Sequence, residues 1–179
     1  MRFWRFAECL KREPRKGWVR ALRTPRVESV ADHSFALAML ALYEGERRGY
    51  NMERILKLAL IHDLEEAITG DFTPEHKRRL GLERIQRERQ KATNKILGNI
   101  PTKVRPAYRK MWTDLRLGRS REARLVHQLD KVEMAFQAHE YRKRLAKRSL
   151  QDFYGSARKG TTDPVLKQVI SKLANMTLN

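Results

Sequence analysis

Apolar residues recur at helical spacing along most of the chain, and no segment shows the sustained alternation that indicates a β-strand. In the predicted helix 52–68, the apolar residues expected to be buried are Ile55, Leu56, Ala59, Leu60 and Ile61. The chain has 179 residues and no long stretch rich in Pro, Gly or Ser, so one hydrophobic core is expected. The sequence therefore predicts an all-α fold with a single domain spanning residues 1–179.

Turn and capping residues divide this pattern into separate helices. Ser29 followed by Asp32 resembles a capping box, and Gly49 stands where a helix that begins at Ser29 would end. The predicted helices cover residues 3–12, 29–48, 52–68, 83–97, 102–115, 120–147 and 163–175, with a short helix from residue 73 and a basic loop at 13–28.

The composition is strongly basic. Lys and Arg total 39 against 21 Asp and Glu, a net charge of +18. Positive charge is concentrated in residues 1–26 (net +7) and 101–148 (net +9), on either side of the acidic segment 62–71. Such a charge permits attraction to nucleic acid or to anionic metabolites without identifying either, and it would steer a phosphate towards the acidic segment.

Cysteine content and hydropathy bear on the cellular location. The one cysteine, Cys9, excludes an intramolecular disulfide and fits a reducing compartment, and its apolar surroundings predict a buried structural thiol. No apolar run approaches the ~20 residues that cross a bilayer, and the first residues lack the apolar stretch of a signal peptide. We therefore expect a cytoplasmic protein without a membrane segment.

Four residues that favour divalent metals are distributed over three predicted helices: His33, His62, Asp63 and Asp130. Imidazole and carboxylate groups are good ligands for Mn, Co, Fe, Ni or Zn, and a helical bundle can point them at one spot. Adjacent helical residues point about 100° apart, so His62 and Asp63 can share one ion only near a helix end. Asp130 lies in an apolar stretch, where it needs a metal or a basic partner.

Two further acidic residues are candidates for catalysis. Glu66 lies one helical turn after His62, where it could act as general base or acid. The alternative for Glu66 is a salt bridge to an arginine. Asp71 follows the Thr69-Gly70 turn and could act on the substrate, although it could also be an ordinary turn ending. Glu65 is expected to face solvent.

The segments 28–34, 62–71 and 128–134, which carry these residues, resemble the motifs of the HD-domain metal-dependent phosphohydrolases. The resemblance is closest to the 5′-deoxynucleotidases, a family that includes the bacterial YfbR type and a human HD-domain-containing relative, and it extends to the tail 150–154. It implies an HD-domain helical bundle, a homodimer, and hydrolysis of deoxynucleoside 5′-monophosphates to deoxynucleoside and phosphate. It also implies a divalent metal cofactor, Mn, Co or another transition metal.

The resemblance assigns roles to individual residues. It implies that His33, His62, Asp63 and Asp130 are the metal ligands, and that Glu66 and Asp71 transfer protons. The family has a Trp near the sugar, which Trp18 matches, and an Arg to the phosphate, where this chain has Gly17. The basic residues nearby that could replace that Arg are Lys16, Arg20 and Arg23, of which we select Arg20. Trp18 could instead be a loop anchor that packs on the core.

Other functions remain open from the sequence. The same fold could hydrolyse a ribonucleotide, a cyclic nucleotide or a nucleoside triphosphate, or the chain could be a basic nucleic-acid-binding protein with a vestigial site. Nucleic acid is not the favoured partner, because the ligand set is intact. Trp4 and Trp112 are expected to be core aromatics, and His76, His127 and His139 to be surface or bundle histidines.

Overall fold

A computed structural model describes residues 2–178, and within that range the chain forms helices and no strand. The helices, in chain order, are α1 (Trp4–Leu10), α2 (Lys16–Leu22), α3 (Val30–Arg47), α4 (Met52–Ile61), α5 (Glu66–Thr69), α6 (Pro74–Leu80), α7 (Leu82–Leu97), α8 (Arg105–Leu117), α9 (Arg121–Glu140), α10 (Lys147–Lys159) and α11 (Pro164–Leu178). The prediction of an all-α fold is confirmed. None of the helices in residues 2–178 has the length and apolar character needed to cross a lipid bilayer.

Helix α9 lies at the centre of the bundle and packs against α3, α4, α10 and α11. Its residues Val126 and Leu129 are fully buried and belong to the same core as Leu37 of α3 and Ile55 of α4. The helices that carry the candidate ligands therefore meet in the centre of the molecule.

The start of α3 is fixed by the predicted capping box. The Ser29 hydroxyl accepts a hydrogen bond from the Asp32 backbone N–H, and the Asp32 carboxylate accepts one from the Ser29 backbone N–H. This reciprocal pair satisfies two backbone donors that have no partner within the helix. It sets the position of the first turn, which contains His33.

Helix α4 ends at Ile61, seven residues before the predicted end. Beyond Ile61 the backbone makes tighter bonds of three-residue spacing, from the Leu64 N–H to the Ile61 carbonyl and from the Glu66 N–H to the Asp63 carbonyl. The change of spacing rotates the following side chains inward. Glu65, predicted to face solvent, is therefore buried.

Two further regions differ from the sequence prediction. The predicted loop 13–28 contains α2, since Pro14 precedes the helix and Gly17 lies in its first turn, where the backbone N–H groups need no helical partner. The predicted helix 120–147 ends at Glu140, and α10 follows after a turn. Helix α10 was not predicted because no side chain caps its first turn.

Several side chains also differ from expectation. Trp4 is 61% exposed, whereas Trp112 is buried as predicted. Leu60 is exposed on the outer side of α4, and Cys9 is only half-buried.

Candidate metal centre

The structure brings all four predicted ligands together. Nε2 of His33 lies 3.2 Å from Nε2 of His62 and 3.2 Å from Oδ1 of Asp130. Oδ2 of Asp63 lies 3.0 Å from Nε2 of His62 and 3.9 Å from Nε2 of His33. His62 and Asp63 lie at the end of α4, where the sequence predicts that two neighbouring side chains could share one ion.

The ligand atoms of His33, His62 and Asp130 all lie within 4.8 Å of one another, which fits a single divalent cation, and Asp63 adjoins this group through His62. Ligand atoms about 2.0–2.2 Å from an ion and at right angles to each other lie roughly 3 Å apart. Two imidazoles with two carboxylates suit Mn, Fe, Co, Ni or Zn. The residues present therefore fit the metal that the sequence predicts.

Hydrogen bonds on the far side of each imidazole orient it towards the cluster. Nδ1 of His33 lies 2.5 Å from Oε2 of Glu133, and Nδ1 of His62 lies 2.7 Å from the Ala59 carbonyl oxygen. Carboxylate and carbonyl oxygens accept, so each Nδ1 carries a proton and each Nε2 points into the cluster. The two Nε2 atoms lie 3.2 Å apart, so a proton or a metal ion must lie between them.

The surrounding electrostatics favour that positive charge. Burial would lower the pKa of His33, but its hydrogen bonds to Asp130 and Glu133 raise it to about 10. Burial also opposes ionisation of Asp63, yet the charge and hydrogen bond of His62 hold its pKa below the ordinary value. The site thus stabilises carboxylates as anions and attracts a cation, which would displace the proton of His33.

Glu66 lies beside this cluster in an unusual environment. Its side chain is buried, its Oε1 lies 3.6 Å from Nη2 of Arg89, and its Oε2 has no hydrogen-bond partner among the described residues. Burial, with added repulsion from Asp63 and Asp71, raises the pKa of Glu66 to about 10. A buried carboxyl that retains its proton near neutral pH can donate that proton.

Asp71 is fixed by the segment before α2. Its Oδ2 accepts a hydrogen bond from the Lys16 backbone N–H at 2.7 Å, and its own N–H donates to Oε1 of Glu13 at 3.1 Å. The preceding Gly70 has φ +69°, a left-handed backbone conformation that L side chains rarely adopt. Glycine is therefore favoured in the turn that leads into Asp71.

An arginine that the sequence analysis did not select lies inside the site. Nη1 of Arg15 is 3.1 Å from Oδ2 of Asp63, and the side chain is largely buried. Burial alone would lower the pKa of Arg15, but the charges of nearby carboxylates, Asp63 first, raise it above the ordinary value. The selected Arg20 is instead exposed and pairs with Glu75 at 2.9 Å, outside the cavity.

Trp18 both anchors the chain and borders the site. It is 3% exposed, and its indole N–H donates to Oε1 of Glu28 at 2.7 Å. Its ring packs on Phe153 of α10, with ring centroids 4.0 Å apart. Both interpretations of Trp18 from the sequence are thus compatible with its position.

The cluster opens into a cavity of about 550 Å³. Its lining carries charged groups, among them Arg15, Asp63, Glu66, Asp71 and Asp130. The lining also includes the apolar side chains of Phe72, Leu82, Ile85, Trp112, Leu115 and Met134. The cavity therefore offers both charged and apolar contacts to one small ligand.

The comparisons with known proteins identify the family. The family model described as HD domain matches residues 7–169. The chain belongs to the HD-domain family. The mouse protein named 5′-deoxynucleotidase HDDC2 is 37% identical over 97% of this chain and 85% of its own length. The Dictyostelium discoideum protein of the same name is 31% identical over 97% of this chain and 95% of its own. A conserved hypothetical protein from Pyrococcus furiosus has a similar structure, with a TM-score of 0.75, 30% identity, and coverage of 97% and 98%.

Three residues that the sequence did not predict for the site contact the predicted site residues. Glu133 orients His33, and it lies one turn after Asp130 on α9, a spacing that could have identified it. Glu28 holds Trp18. Arg15 carries no such local signal, because it reaches Asp63 only through the folding of the chain between α1 and α2.

We expect Glu133→Gln to lower metal affinity about 10- to 100-fold, because a carboxylate hydrogen-bonded to the far nitrogen of a ligating imidazole fixes its tautomer and basicity. Binding of Mn²⁺ or Co²⁺ to the purified protein can be measured by calorimetry, without any assay of activity. Glu140→Gln, an exposed position on the same helix, is the matched control. Equal affinities for the two variants would contradict a role for Glu133 in orienting His33.

Proposed function

We propose that this HD-domain protein is a metal-dependent phosphomonoesterase, a 5′-deoxynucleotidase that converts deoxynucleoside 5′-monophosphates to deoxynucleoside and phosphate. The observation that carries the proposal is the convergence of His33, His62 and Asp130, whose ligand atoms all lie within 4.8 Å of one another, with Asp63 beside His62. A buried arginine and a buried glutamic acid lie next to this group. The names of the mouse and Dictyostelium relatives support the choice of substrate.

In this proposal His33, His62, Asp63 and Asp130 hold the metal, which we take to be Mn²⁺ or Co²⁺. Lewis-acid polarisation of the phosphoryl group and activation of water are the chemistry that a divalent ion supplies at such a site. Glu133 and the Ala59 carbonyl keep the two imidazoles in the tautomer that ligation needs.

Arg15 binds the phosphate of the substrate. It is the guanidinium nearest to the ligand cluster, it stays protonated, and its planar donors match two phosphoryl oxygens at once. Its contact with Asp63 fixes its position before the substrate arrives. Arg15 therefore takes the role that the sequence analysis gave to Arg20.

Glu66 and Asp71 move the protons. Water forms the new bond to phosphorus and loses a proton to Asp71, while the bond from phosphorus to the 5′ oxygen breaks. The departing oxygen takes a proton from Glu66, whose raised pKa keeps it protonated beforehand. The products are the alcohol of the nucleoside and inorganic phosphate, and solvent exchange restores both carboxyl groups.

The nucleoside occupies the remaining space. Trp18 borders the cavity near Arg15 and contacts the sugar, and the apolar side chains of Phe72, Ile85 and Met134 accommodate the base. These apolar side chains hold the base by van der Waals packing.

Removal of the metal site should abolish hydrolysis. With dAMP or dTMP and added Mn²⁺ or Co²⁺, we expect His62→Ala and Asp63→Ala each to lower kcat by at least about 10³-fold, because each loses several kcal/mol of transition-state stabilisation. A chelator should have the same effect on the unaltered protein, and phosphate release measures both.

His76→Ala is the matched control, since this histidine lies on α6 away from the ligand cluster. Full activity of either ligand variant would refute the proposed function. Parallel assays with ribonucleoside monophosphates, cyclic nucleotides and nucleoside triphosphates determine the preferred nucleotide.

Two arginine variants distinguish the candidates for phosphate binding. We expect Arg15→Ala to raise KM about 10- to 100-fold, the loss of a charge-assisted hydrogen bond, while Arg20→Ala leaves KM near the unaltered value. Metal affinity measured on both variants separates this effect from damage to Asp63. A raised KM for Arg20→Ala with none for Arg15→Ala would return the role to Arg20.

We also propose that the whole chain acts as one HD domain and forms a homodimer through α3. Phe35, Met39 and Tyr43 lie four residues apart on its outer side and are 68%, 50% and 64% exposed. A row of large exposed apolar side chains on one helix suits a two-fold interface, where each copy buries the row of the other.

The dimer can be tested by sedimentation. We expect the unaltered protein to sediment as a dimer at micromolar concentration and Met39→Glu to sediment as a monomer, because a buried charge opposes association. Met176→Glu, at an exposed apolar position on α11, should remain a dimer. A monomeric unaltered protein would exclude this arrangement.

A further inference from the structure

A second cavity, of about 480 Å³, lies between α4 and α8. We call it the α8 cleft. Its lining consists mostly of basic side chains, and the residues are Arg54, Thr102, Arg105, Pro106, Arg109, Lys110, Thr113, Asp114 and Arg119. It shares no lining residue with the substrate cavity, whose wall uses Trp112, Leu115 and Arg116 from α8. The two cavities therefore lie on different sides of one helix.

The single carboxylate of the α8 cleft is already fully used. Oδ2 of Asp114 accepts from Nη2 and Nε of Arg54 at 2.6 and 3.2 Å, and from the Ser120 hydroxyl at 2.7 Å. Its Oδ1 accepts from the Ser120 backbone N–H at 2.8 Å. Asp114 is buried, and it neutralises Arg54 alone.

The other four cations have no acidic partner within residues 2–178. Arg105 donates from Nη2 and Nε to the Ile100 carbonyl oxygen at 3.0 and 3.2 Å, which orients its guanidinium but does not neutralise it. Arg109, Lys110 and Arg119 make no salt bridge in this part of the chain. Like charges gathered around a concave surface repel one another and create a strongly positive local potential.

We propose that the α8 cleft binds a small molecule that carries a chain of phosphates, such as a nucleoside triphosphate or inorganic polyphosphate. Arg105 and Arg109 are four residues apart, about 6 Å along the helix axis, so the positive charge extends over more length than one phosphate occupies. Arg119 adds a cation from the turn before α9. The cleft therefore matches several linked anionic groups.

The lining argues against a nucleic-acid strand. Single-stranded nucleic acid is held by aromatic side chains that stack on successive bases, and the α8 cleft has none. Its volume of about 480 Å³ lies within the range of small-molecule sites. The proposal does not depend on the catalytic activity, because the two cavities are separate.

The test is calorimetric titration of the full chain with inorganic tripolyphosphate. We expect the double variant Arg109→Ala with Lys110→Ala to weaken binding at least tenfold, and Arg119→Ala, from the other side of the cleft, to weaken it in the same direction. Lys167→Ala with Lys172→Ala removes the same charge from α11 and should leave binding unchanged. The titrations are repeated in the Arg15→Ala background, which removes the phosphate-binding arginine of the substrate cavity, and the loss caused by the cleft substitutions should persist there.

The outcomes separate the alternatives. Unchanged affinity of the cleft variants for tripolyphosphate, or an equal loss of affinity in the α11 control, would overturn the proposal. Circular dichroism shows whether each variant is folded. Equal affinity for orthophosphate and tripolyphosphate would also overturn the proposal. So would a single-stranded oligonucleotide that binds the cleft more tightly than these two phosphate ligands. A deoxynucleoside triphosphate that binds more tightly than tripolyphosphate would support the proposal and show that the ligand is a nucleotide. Equal affinity for the two would also support it and show that the cleft recognises the phosphate chain alone.

Discussion

His33 joins the two central helices at a point where water is excluded. Its imidazole is fully buried, donates from Nδ1 to Glu133 on α9, and presents Nε2 to His62 and Asp130. A buried imidazole and a buried carboxylate each lose hydration on folding, so neither is tolerated without the other. The same contact therefore fixes the packing of α3 on α9 and the direction of a ligand atom, which makes the geometry of the site a consequence of the core.

The early end of α4 has a comparable effect on the other side of the site. If the helix had continued to residue 68, His62 and Asp63 would diverge by about 100°. The helix ends at Ile61 instead, and Oδ2 of Asp63 lies 3.0 Å from Nε2 of His62. The tighter turn that follows buries Glu65, which accepts a hydrogen bond from the indole N–H of Trp112 at 3.3 Å. Helix α8 is thereby connected to the segment that carries the ligands.

The sequence predicted what depends on local spacing and missed what depends on the folded chain. Helix α3, with its capping box at Ser29, follows from neighbouring residues, and the ligand set follows from residue chemistry combined with a family resemblance. Arg15 could not be found in this way. It approaches Asp63 because the backbone pairs Pro14 with Ser29 and reverses there, a contact between residues far apart in sequence. Helix α10 has apolar residues at helical spacing but no capping side chain, so the neighbouring residues do not indicate where it begins.

The charge distribution explains why the site needs both a metal and an arginine. A phosphate that enters the cavity meets carboxylates on the wall it must reach, and at close range these repel it more strongly than distant surface lysines attract it. Arg15 offsets part of this repulsion, but Asp63 already neutralises much of its charge. In the proposed function, a divalent cation held beside His33 and Asp130 would reverse the sign of the local field. The carboxylates that repel a phosphate would then be the groups that hold the ion which attracts it.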